Sequence, residues 1–301
     1  MPFTDTHTDT GTSITPPTRV AFSSSVSLTP NTDIYFRGFD NAFPDYWRFK
    51  EWEREFDIYE ANGGEANGGL PSLSLVRFMH DHTGSFSTAI DGVNTPELMQ
   101  ADNDYAVGLL VQKIANSKRY ANNTLIFVIE DDAQDGPDHV DSHRSIAFVA
   151  GAYVKQHTLV STQYNTIDFV RTIEEVLGLP PMNINDALAR PMADIFNTTP
   201  SAWRFTAIPS GFLYGTDLKP LLPAATSVGM VVPKSTHNAK YWARVTKGMD
   251  FSSEDRFNFA RYNRILWKGL MGNKPYPAAS TGKDLRQNRK EYLANYRQSL
   301  K

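Results

Sequence analysis

Two short windows of this 301-residue chain gather the side chains best suited to hold a cation. The first is His80-Asp81-His82. The second opens at Glu130-Asp131-Asp132 and runs through His139 to His143-Arg144. Four of the seven histidines fall in these windows. Adjacent carboxylates repel and raise each other's pKa unless a cation neutralises them. A divalent cation would do this at Asp131 and Asp132, with His139 and His82 completing a mixed nitrogen and oxygen shell. The competing reading is that the acids cap helices or pair with Arg144 while the histidines bond locally. The chain has no cysteine, so thiolate ligands and disulfides are excluded. Carboxylate and imidazole donors suit zinc, manganese or iron, and a carboxylate-rich shell also accepts calcium or magnesium.

Elements must bring such windows to one place. Leu73 to Met79 reads as a short strand ending at His80, and Thr124 to Ile129 as a strand buried on both faces, ending at Glu130. In open α/β sheets ligands bind beyond such C-terminal strand ends. Residues 46–61 place Phe49, Trp52, Phe56 and Tyr59 on one helical face. Thr95 as N-cap and Pro96 behind it predict a second helix, with Met99, Val107, Leu110, Val111 and Ile114 as its apolar stripe. Asn103 on that helix is expected to face solvent. Ser145 to Ala150 reads as a third strand. Asn165 to Leu177 reads as a helix that buries Ile167, Val170, Ile173, Val176 and Leu177 and stops at Gly178 and Pro180. Another helix is expected from Ser253 to Leu270. This order argues an α/β fold with a largely parallel sheet flanked by helices.

Composition narrows the class further. With 30 Lys+Arg against 33 Asp+Glu, the net charge is -3. That balance gives no basic face for nucleic acid as a main partner. No apolar run approaches ~20 residues, so no transmembrane segment is expected. Residues 1–32 are rich in Thr, Ser and Pro, read as a low-complexity tail, and carry no signal-peptide pattern. Residues 281–301 read as a polar helical tail. There is no Gly-x-Ser-x-Gly elbow, and the Gly-rich stretch 62–69 lacks the Lys-Ser/Thr of a phosphate-binding loop.

The segment Ile129-Glu-Asp-Asp-Ala-Gln-Asp-Gly-Pro-Asp-His-Val-Asp-Ser-His-Arg-Ser145 closely resembles a block of the bacterial phosphoesterase family of the alkaline phosphatase superfamily, which includes phospholipase C-type enzymes and acid phosphatases. Phe78-Met-His-Asp-His-Thr-Gly84, Ala101-Asp-Asn-Asp-Tyr-Ala-Val-Gly108, Leu177-Gly-Leu-Pro-Pro-Met-Asn183, Arg190-Pro-Met192 and Met249-Asp-Phe-Ser252 also look like family blocks. The resemblance spans residues 33–277 and implies a partial phosphoesterase domain over 33–280 with an alkaline phosphatase-like fold.

It further implies a two-metal hydrolytic centre. Asp81, His82, Asp131, Asp132 and His139 would be metal ligands, with His143 and Arg144 near the substrate phosphate or behind the ligands. The implied chemistry is attack of a metal-activated Ser or Thr on phosphorus, followed by water. The implied substrate is a small phosphate ester or a phospholipid head group. Family members carry the nucleophile and first ligands in an N-terminal block that residues 1–32 do not match. A chain without it is expected to be of doubtful activity, or a non-catalytic metal- or phosphate-binding remnant. It is also expected to be oligomeric or paired with a missing N-terminal chain. Export to the periplasm or medium follows only by analogy with relatives.

Overall fold

In the computed structural model, which describes residues 23, 25–63, 68–130, 145–218, 222, 231–253 and 256–276, Pro44 leads the chain into its first long helix, α1 (Asp45–Asn62). Pro44 supplies no side-chain cap. The cap comes from elsewhere in the chain: the carboxylate of Asp102 accepts from the backbone N–H of Asp45 at 2.6 Å and of Tyr46 at 3.1 Å. A negative group at a helix N-terminus satisfies orphan donors and complements the helix dipole. Gly63, in the left-handed region at φ 89°, closes α1. The expected aromatic face is present: Phe49 and Phe56 are buried, and Trp52 and Tyr59 pack partly buried beside them.

Helix α2 (Pro96–Ala115) starts as expected, with the Thr95 side chain accepting from Leu98 N. It packs along α1 and buries Met99, Leu110, Val111 and Ile114. Strand β1 (Leu125–Ile129) pairs antiparallel with β2 (Ala147–Gly151), Phe127 lying opposite Val149. Side chains alternate across a strand, and each face of this ribbon meets a helix over part of its length, while Phe148 and Ile129 are exposed. Ile126, Val128 and Ala150 join the core of α1 and α2. Phe127 and Val149 pack on the other side against Phe169 of α3 (Thr166–Leu177), where the Phe127 and Phe169 rings meet edge to face at 6.0 Å. The result is a helix, sheet, helix layering.

The pairing differs from the expected parallel arrangement: the only sheet among the described residues is this two-stranded antiparallel one. The segment expected as a first strand, Leu73 to Met79, has no regular secondary structure and joins no sheet among the described residues; Leu73 and Leu75 are exposed, while Val76 and Phe78 pack on the α1/α2 core. Helix α3 has the expected ends, with an Asn165–Asp168 capping box and Gly178 left-handed at φ 67°. Its buried side is not the expected one. Asp168, Phe169, Thr172 and Glu174 are buried, while Ile167 and Val176 are exposed. The reason is polar: Asp168 accepts from Arg190 N at 3.0 Å and Glu174 from Met182 N at 3.3 Å, so the following loop wraps this side of the helix. Asn165→Ala should cost about 1 kcal/mol, the usual value of such a cap, read from denaturant unfolding.

After α4 (Ile184–Ala187), α5 (Ala239–Val245) and α6 (Phe259–Met271) close the far side of the core around Trp242 and Tyr262. Asn258 caps α6, so this helix begins later than the sequence pattern suggests. No helix among the described residues is long and apolar enough to cross a membrane. Of the expected tails, residues 1–22 and 24 and all of 281–301 lie outside the described residues, while Thr29–Asn31 form a short 3-10 turn.

Candidate functional site

The turn after Met79 carries the first predicted window. His82 N closes it by donating to Met79 O at 3.1 Å. Its backbone is gripped from two sides. Asp45, at the start of α1, accepts from Met79 N at 2.9 Å and His80 N at 2.8 Å. Gln100, on α2, donates its amide to His80 O at 3.2 Å and to Asp81 O at 2.9 Å. Gly84 then leaves the turn: a Cβ there would lie 2.5 Å from Phe251 and 2.9 Å from Asn41, closer than carbon contacts allow.

The turn presents Asp81 and His82 together and partly exposed. Asp81 Oδ2 lies 3.7 Å from His82 Nε2. The His82 ring stands edge-on to Phe39 at 5.5 Å. Two ligands of one tetrahedral cation with bonds near 2.1 Å stand about 3.4 Å apart, so this pair fits a shared divalent ion after a small adjustment.

Beneath the turn lies a polar cluster that the sequence reading did not assemble. Asp45, His80 and Asp102 are fully buried, with one ligand atom from each within 4.8 Å of the others. His80 Nδ1 is 2.7 Å from Asp102 Oδ2, and His80 Nε2 is 3.2 Å from the carbonyl of Asn41. Both ring nitrogens therefore face oxygen atoms able to accept, an arrangement that suits a doubly protonated ring. The second cation is Arg48, also fully buried, 2.8 Å from Asp45. Its remaining donors go to the carbonyls of Arg37, Gly38, Asp40 and Phe43. Asp45 completes its shell with Asn103 Nδ2 at 3.0 Å, so Asn103 turns inward, against the expectation that it faces solvent.

Charge states follow from these contacts. Burial pushes the Asp45 carboxyl up, but Arg48, His80 and two backbone N–H groups outweigh it and hold its pKa below the usual value. Burial pulls His80 down, yet the Asp102 hydrogen bond and the charges of Asp102 and Asp45 raise it overall. Burial also raises Asp102, which His80 offsets only in part. A raised Asp102 alone argues for a neutral pair, and a raised His80 for an ionic one. The two backbone donors on Asp102 and the carbonyl at His80 Nε2 favour the ionic form.

Two cations thus balance two carboxylates. Both His80 nitrogens face hydrogen-bond partners, and Asp45 accepts four hydrogen bonds. The ligand atoms of the triad are thus engaged with one another and with the backbone. The cluster is a neutral lattice that ties α1, α2 and the 79–82 turn into one piece.

Of the predicted ligands, the structure brings Asp81 and His82 together. Asp131, Asp132, His139, His143 and Arg144 lie outside the described residues. The chain on either side of them is described. Glu130 N donates to Ile146 O at 3.2 Å, and Ser145 Oγ to Glu130 O at 2.7 Å. Glu130 and Ser145 therefore lie side by side at one end of the ribbon. Asp45 and Asp102 escaped the sequence reading. Asp102 did leave a signal, since it falls on the buried side of α2 between Met99 and Tyr105, and a lone carboxylate there needs a partner. Comparison of the chain with protein-family models, with curated proteins and with solved structures finds no match.

Proposed function

We propose that this chain carries part of the ligand set of a divalent metal-dependent phosphoric ester hydrolase, acting on a small phosphate ester or a phospholipid head group. The observation that supports it is the Asp81–His82 pair, 3.7 Å apart on a turn braced by Asp45 and Gln100. Preorganised ligands bind a cation without first losing conformational freedom. The family resemblance of residues 129–145 supplies the reaction class, with Asp131, Asp132 and His139 as further ligands. A cation held there would stabilise charge on phosphoryl oxygens as a Lewis acid. The chain's own part is to fix the two ligands, and His143 and Arg144 would orient the phosphate.

The second reading is a metal- or phosphate-binding domain without turnover. One observation favours it. The hydroxyl next to the pair, Thr83, is buried and shares a 2.6 Å hydrogen bond with Tyr262, so it is not open to act as a nucleophile.

Titration of the full chain with zinc and with manganese, followed by calorimetry, tests the site. Asp81→Asn and His82→Ala should each weaken binding by roughly 10-fold or more. The pair Asp131→Asn, Asp132→Asn should do the same, because amides bind divalent cations more weakly than carboxylates. Unchanged stoichiometry and affinity in all three would sink the assignment. Chelator-sensitive hydrolysis of p-nitrophenyl phosphate or its bis ester separates the first reading from the second.

A further inference from the structure

The end of α3 and the turn into α4 carry an apolar patch that stays in water. Met182 is 73% exposed, Ile184 71% and Leu188 80%, with Val176 and Leu179 about half exposed beside them. Pro180 and Pro181 lie between and are also exposed. The patch is not a loose loop. Leu179 N donates to Glu174 O at 2.9 Å, Met182 N to Asp186 Oδ2 at 2.6 Å and Asn183 N to Asp186 Oδ1 at 2.9 Å. Asp186 is the sole charged residue between Val176 and Leu188, and it is spent inward on these bonds at 2% exposure.

Seven exposed apolar residues at on the order of 100 Å² each give roughly 700 Å², beyond the few hundred Å² that monomers usually leave in one patch. We propose that this patch is the interface through which two copies of the chain pair about a two-fold axis. Two arguments select a second copy. Two such faces together bury roughly 1,400 Å², inside the range of about 1,200–2,000 Å² for a specific interface. Between Val176 and Leu188 the chain also presents no exposed charge, so two such segments meet without like-charge repulsion. Its internal bonds mean that little order is lost on pairing. The proposal is independent of the metal reading.

Sedimentation equilibrium of the full chain tests it. The parent should sediment at about twice the 33.7 kDa chain mass. Met182→Gln and Leu188→Asn replace side chains outside the buried core clusters, so each should keep the parent's circular dichroism spectrum. Each should weaken the dimer by roughly 10-fold, and together they should yield monomer at the same loading. A parent that stays monomeric up to ~100 µM overturns the proposal. So does a dimer that survives the double substitution. Sedimentation of monomer with phosphatidylcholine vesicles through these residues would overturn it too, in favour of a lipid surface.

Discussion

Asp45→Asn should lower the stability of the fold by about 3–5 kcal/mol, the cost of breaking a buried ion pair from one side. Asp45 accepts from Arg48, Met79 N, His80 N and Asn103, and an amide can serve only part of that set. It would also leave Arg48 charged at 0% exposure. Arg48→Met should cost a comparable amount, because it strands both Asp45 and the carbonyls that Arg48 serves. The double variant should be less destabilised than the sum, with a coupling of at least ~1 kcal/mol. An additive cycle in urea unfolding would refute the lattice.

The pH profile carries the same signature. Asp45 is held below its ordinary 3.8, so its contribution is complete above that pH and is lost as pH falls through the lower folded value. His80 is held above its ordinary 6.5, so its contribution is complete below that pH and is lost as pH rises through the higher folded value. Stability should therefore decline on the alkaline flank through His80 and on the acid flank through Asp45, where the raised Asp102 carboxyl offsets part of the loss, and Asp45→Asn should flatten the acid flank.

Trp242→Ala should cost a similar ~3–5 kcal/mol, since the ring is fully buried and its loss opens a cavity at the join of α5 and α6. Trp242→Phe should cost far less. The indole Nε1 has no hydrogen-bond partner among the described residues in its buried position, so removing it relieves an unmet donor. Gly269 adds a check on the packing, because a Cβ there would sit 2.2 Å from the Trp242 ring. Gly269→Ala should destabilise by about 1–3 kcal/mol in the parent and by less beside Trp242→Phe. Equal costs in both backgrounds would mean that the ring does not hold this contact.

Legibility divides along the range of the interactions. The helix starts at Thr95 and Asn165 and the stop at Gly178 depend on residues a few positions apart, and each was readable from local chemistry. The α6 start was misplaced because Ser252, Ser253 and Asn258 are all competent caps, and it is Asn258 that accepts from Arg261 N. The buried side of α3 was misjudged because its apolar stripe competes with Asp168 and Glu174, whose backbone partners lie in a loop further along the chain. The Asp81–His82 pair was visible as neighbours in sequence. Its support was not, since Asp45 and Gln100 come from two helices on either side of it.

By itself, the sequence determined where the main helices lie, which aromatic face α1 buries and that Asp81 and His82 are neighbours. These are consequences of period, capping and side-chain chemistry over short spans. The tertiary structure alone decided that the ribbon pairs antiparallel, that His80 belongs to a buried lattice with Asp45, Asp102 and Arg48, and that the α3–α4 patch stays in water. Each depends on groups distant in the chain meeting in a medium where an unpaired charge is costly, and no local pattern encodes which groups will meet.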